Sequence, residues 1–153
     1  MEKEALIKKL QWFYFLELNQ VNLYLAQSRQ VDDFYLKQTL LRIAEVEQGH
    51  VENIKAKLAY LGASPAFVGE KVAPLTGMMG GLVTGMAGTI AILKANIDLE
   101  EKAMKDYKDF ILRVGKDDEL FEMLWDHLID EDLHTAWFTN KVKELEKIME
   151  IKE

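Results

Sequence analysis

The sequence predicts an all-α fold, an antiparallel four-helix bundle, and three observations predict it. Apolar residues recur at alternating steps of three and four in four separate stretches. Helix-capping and helix-stopping residues punctuate those stretches, with Asp32-Asp33, Gly62, Gly115 and Asp117-Asp118 at the expected places. Two segments, Glu47-Gln48-Gly49-His50 and Glu131-Asp132-Leu133-His134, repeat the pattern Glu-x-x-His and fall on apolar rows. Residues three apart in a helix share a face, so each pair can turn a carboxylate and an imidazole to one point.

The first helix is expected over about residues 3–29. Leu6, Leu10, Phe13, Glu17, Gln20 and Tyr24 share its inward stripe. Glu17 stands where a hydrophobe belongs, and a buried carboxylate needs a metal or a proton. Asp32 or Asp33 caps the second helix and Gly62 stops it. Leu36, Leu40, Ile43, Glu47, His50, Ile54 and Leu61 make its stripe, while Glu45 and Glu52 fall off it.

A change of character follows over about 62–88. Pro65 and Pro74 interrupt the pattern, and five glycines lie between Gly77 and Gly88. Val72 to Leu93 is 22 residues without a charge, long enough to span a membrane, but its Pro and Gly suit a lipid-facing helix poorly. The preferred reading is one long crossover between helices two and three, or a subunit contact, ahead of peripheral membrane contact.

The third helix is expected to end at Val114, with Gly115 as its stop. Leu93, Asn96, Glu100, Ala103, Tyr107 and Phe110 form its inward row, and Glu101 is the neighbouring alternative to Glu100. In the fourth helix the row is Leu120, Leu124, His127, Glu131, His134, Phe138 and Leu145, with fraying expected from Lys147. The two halves form a weak internal repeat, with Glu17 and Glu100 offset by 83 residues and Glu47 and Glu131 by 84.

Glu17, Glu47, His50, Glu100, Glu131 and His134 are therefore the candidate metal ligands. Four carboxylates and two imidazoles can hold a carboxylate-bridged pair of ions. Without thiolates, the set favours iron(II), manganese or zinc. Tyr24 and Tyr107 each lie seven residues after a candidate ligand, two turns along the same face. Either phenol can hydrogen-bond a ligand carboxylate or donate an electron. His127, on the row of Glu131, and Asp130, beside it, are candidates to orient ligands.

Composition narrows the classes. At 153 residues, 49% hydrophobic and 29% charged, the chain is expected to be a single domain, 1–153, with a full core. A net charge of −7 without a dense basic patch speaks against nucleic acid as a partner. The absence of cysteine excludes iron–sulfur clusters and a rubredoxin-type centre in this chain and suits a cytoplasmic protein. The opening Met1-Glu2-Lys3-Glu4 does not resemble a signal peptide.

With these residues in place, the chain resembles the ferritin-like superfamily of di-iron carboxylate proteins over nearly its whole length. The Glu100 to Tyr107 segment, the Glu17 to Tyr24 spacing and the apolar Pro74 to Leu93 stretch are similar to the demethoxyubiquinone hydroxylase branch, which is membrane-associated. The rubrerythrin-like branch, which reduces peroxide, is the other close one. Ala103 and Met104 stand where that branch has a further Glu. The resemblance implies two iron ions, with manganese or a mixed pair as alternatives, and no haem. It also implies dioxygen or peroxide as substrate, a separate electron donor, and a homo-oligomer, most simply a dimer. The activity it implies is an oxygenase acting on a quinone or lipid-like substrate, or a peroxidase. The alternative is an iron-storage protein with ferroxidase activity.

Overall fold

The computed structural model describes residues 1–65, 85–115 and 118–152. Those residues form four helices and no strand. They are α1 (Lys3–Ser28), α2 (Phe34–Tyr60), α3 (Gly85–Val114) and α4 (Asp118–Lys152). The chain divides into two compact units, Met1–Gly77 and Met78–Glu153. Each is a helical hairpin. The greater part of the crossover expected over about 62–88, and Asp117 as a cap, lie outside the described residues.

In the first unit α1 packs against α2. The short connection between them makes the pair antiparallel, and Gln11 Nε2 donates to the Ser64 carbonyl at 2.8 Å, joining the start of one helix to the end of the other. Of the two candidate caps, Asp33 is the one that acts: its side chain accepts from the Leu36 N–H at 2.6 Å. Gly62 ends α2 with a φ of 75°, a left-handed conformation that a Cβ would disfavour. There the Ala63 N–H reaches the Leu58 carbonyl and the Gly62 N–H reaches that of Ala59. These two bonds satisfy carbonyls that the helix itself leaves open.

Leu10, Phe13, Leu23, Tyr24, Leu36, Leu40, Ile54 and Leu58 form this unit's apolar core. Glu17, Gln20, Glu47 and His50 interrupt it as buried polar residues. Glu45 and Glu52 are exposed, as the pattern predicts.

The second unit repeats the plan, with α3 packed against α4. Lys94 pairs with Glu146 at 2.7 Å near one end, and Tyr107 meets His127 near the other, so these helices are also antiparallel. Leu93, Phe110, Leu120, Leu124 and Phe138 fill the interior around Glu100, His127, Glu131 and His134. Gly115, with a φ of 76°, follows the last residue of α3.

Two boundaries differ from expectation. Helix α3 begins at Gly85, a few residues before the expected start near Gly88. Helix α4 runs to Lys152 instead of fraying from Lys147. Ile148 and Met149 in its last turns are half-buried, and Lys94 pairs with Glu146 just before them. Among the described residues no helix is long and apolar enough to cross a membrane.

Candidate metal centre

Each hairpin gathers one Glu from its first helix with a Glu and a His from its second. Helical periodicity does this twice over. It sets Glu47 and His50 one turn apart on the buried face of α2, and the hairpin brings Glu17 of α1 alongside them. Glu17 and Glu47 are 0% exposed and His50 is 2% exposed. His50 Nδ1 lies 3.0 Å from Glu47 Oε2 and 3.4 Å from Glu17 Oε2.

In the second hairpin Glu100 and Glu131 are 0% exposed and His134 is 7% exposed, with His134 Nδ1 3.6 Å from Glu100 Oε2. Glu101, the alternative to Glu100, is exposed. In each triplet the three ligand atoms lie within 4.8 Å of one another. Each triplet is thus a buried group that could hold a metal ion.

The spacing fits that use. Neighbouring ligands at about 2.1 Å from a common ion stand roughly 3 Å apart, and opposite ones roughly 4 Å apart. A Glu–His hydrogen bond gives similar distances, with a protonated Nδ1 donating to the carboxylate. The hydrogen-bond reading leaves two carboxylates in each hairpin crowded on one imidazole away from water. Like charges so placed repel, and a divalent cation relieves that repulsion where one shared proton relieves only half of it. The donors are oxygen and imidazole nitrogen only, which suits iron(II), manganese or zinc.

Tyr24 and Tyr107 are fully buried. The Tyr107 hydroxyl and His127 Nδ1 are 3.1 Å apart, with the two rings edge to face at 89°. His127 is 1% exposed. Its partner is thus a phenol from the facing helix, a pairing across 20 residues that the pattern along α4 alone does not reveal. Asp130 is half-buried. Thr135, beside His134, has its hydroxyl 3.6 Å from the Met104 sulfur and donates to the Glu131 carbonyl at 2.8 Å.

No protein-family model matches the chain, and no curated protein matches it. What the chain does is therefore read from the chemistry of the two triplets.

Proposed function

We propose that each triplet holds one metal ion, and that the chain is a ferritin-like di-iron carboxylate oxidoreductase acting on dioxygen or peroxide. One observation carries this reading: each hairpin separately buries two glutamates and a histidine whose ligand atoms converge. Six such side chains on interior faces are costly unless they hold something, because every one displaces an apolar residue from a core.

The roles follow from the positions. Glu47 with His50, and Glu131 with His134, are the helical pairs that would each grip one ion. Glu17 and Glu100 complete the sets with a second carboxylate. Four carboxylates balance the four positive charges of two divalent ions. Two iron ions held there would supply the redox chemistry for reducing dioxygen or peroxide. The apolar residues around the triplets exclude water from the reacting space. The 3.1 Å bond between the Tyr107 hydroxyl and His127 Nδ1 gives a path for a proton between two buried groups. With no cysteine in these 153 residues to hold an electron-transfer cluster, reducing equivalents would come from a donor outside them.

Self-association is part of the proposal. Phe121, Trp125, Ile129 and Leu133 lie at steps of four on α4 and are 38–61% exposed, an apolar stripe of the kind that subunits cover. Light scattering tests this, and a dimer is the expected result. A shell of many subunits would favour iron storage instead.

The decisive experiment is to strip the protein, load it anaerobically with iron(II), count the ions bound, and then add dioxygen or peroxide with a reductant. Two ions per chain, a ferric absorption and consumption of reductant are expected. A protein that takes up no iron, manganese or zinc would overturn the proposal.

A further inference from the structure

The repeat is not perfect, and its imperfection is informative. Gln20 lies one turn after Glu17 on α1, and it is 0% exposed. Neither its carboxamide oxygen nor its nitrogen has a hydrogen-bond partner among the described residues. An unsatisfied buried amide costs on the order of 1–3 kcal/mol. An apolar residue would serve the core better, and the repeat shows one: the 83-residue offset puts Ala103, 1% exposed, at the matching place in α3.

The sequence arrangement around Gln20 is the one already met twice. Glu17-Leu18-Asn19-Gln20 sets a carboxylate and a second donor three residues apart on one buried helical face, as Glu47 and His50 do and as Glu131 and His134 do. A carboxamide oxygen is a hard, neutral donor, and it suits the same ions as a carboxylate. Glutamine also has the reach of glutamate, so a side chain at position 20 can extend to an ion that Glu17 touches.

We infer that Gln20 is a seventh protein donor, its Oε1 ligating the ion held by Glu17, Glu47 and His50, and that the two metal positions are therefore unequal. The inference rests on the metal-centre reading proposed above. The first position has three charged or imidazole donors and a neutral oxygen. The second has three donors, with a methyl group where the fourth would be. The first ion thus has one coordination position fewer for anything from outside, and exogenous ligands are steered to the second.

The test uses the full chain, stripped of metal and titrated anaerobically with cobalt(II), whose visible spectrum reports coordination number. Wild type is compared with Gln20→Met, which removes the amide and keeps the bulk, and with Gln20→Glu, which keeps an oxygen donor. Wild type should bind two ions in two distinguishable steps. Gln20→Met should weaken one step by about tenfold or more, in line with the loss of a group that touches a metal site, and shift the spectrum of that ion only. Gln20→Glu should retain both steps. Without metal, Gln20→Met should melt at or above the wild-type temperature, because it deletes an unsatisfied polar group.

Matching isotherms and spectra for wild type and Gln20→Met would overturn the inference and leave the dinuclear centre standing. A marked fall in metal-free melting temperature for Gln20→Met, with both metal steps unchanged, would also overturn it and make the amide structural. Wild type that binds no ion would remove the centre itself, and the inference with it.

Discussion

Replacing Glu47 by leucine should reverse its rank against wild type depending on whether metal is present. Glu47 is 0% exposed on the inner face of α2, 3.0 Å from His50. Without metal, Glu17 and Glu47 crowd one imidazole away from water, so replacing one of the two carboxylates by an apolar side chain relieves their mutual repulsion. His50 is not stranded by the change, because Glu17 Oε2 remains 3.4 Å from its Nδ1. For a chain of this length each kcal/mol moves the melting temperature by about 2–4 °C. The metal-free variant should therefore melt at or above the wild-type temperature.

With metal at a hundredfold excess over its dissociation constant, wild type gains about 2.7 kcal/mol, or roughly 5–11 °C. The variant, lacking a ligand, gains much less. Differential scanning calorimetry with and without iron(II), beside a metal count, measures both arms. A metal-free variant that melts well below wild type would refute the argument that Glu47 is tolerated in the core for the sake of an ion. Equal metal-induced shifts in the two proteins would refute its role as a ligand.

Other changes probe the framework and the second hairpin. Gly49 sits exposed between the two α2 ligands, and a Cβ there would meet nothing within 4 Å. Gly49→Ala should stabilise by about 0.5–1 kcal/mol in a urea titration while leaving the metal count unchanged. The same change at Gly62, where φ is 75°, should destabilise by about 1–2 kcal/mol. Asp33→Ala removes the bond to the Leu36 N–H and should cost about 1 kcal/mol, read from the shift in urea midpoint. Tyr107→Phe deletes the hydroxyl that meets His127 and should cost about 1–2 kcal/mol. It should slow turnover with peroxide or dioxygen while two ions still bind.

Most of what positions the candidate centre was legible in the sequence, because it depends on a local period. The rows through Glu17, Glu47, Glu100 and Glu131 are buried from end to end apart from Leu6, Leu61 and Leu145, which are half-buried. The row that Glu100 shares with Tyr107, matching that of the first helix, favours it over Glu101, and Glu100 is the buried one of the two. What spans a hairpin was harder to read. The bond between Tyr107 and His127 requires knowing which turn of α3 faces which turn of α4, and a one-dimensional pattern carries no such register.

The choice between Asp32 and Asp33 turned on a single hydrogen bond. Gln20 was visible as a polar residue on an apolar row, but only the structure shows that its amide has no hydrogen-bond partner. Helix α4 outran its expected end through a segment where Ile148 and Met149 are half-buried.

That Glu17, Glu47 and His50 all belong to one hairpin has a consequence for biosynthesis. Residues 17–50 hold a whole set of three donors, so on the proposed reading this hairpin would capture an ion while the second is still being translated. On the metal-centre reading proposed above, loading of the first position need not wait for a finished chain.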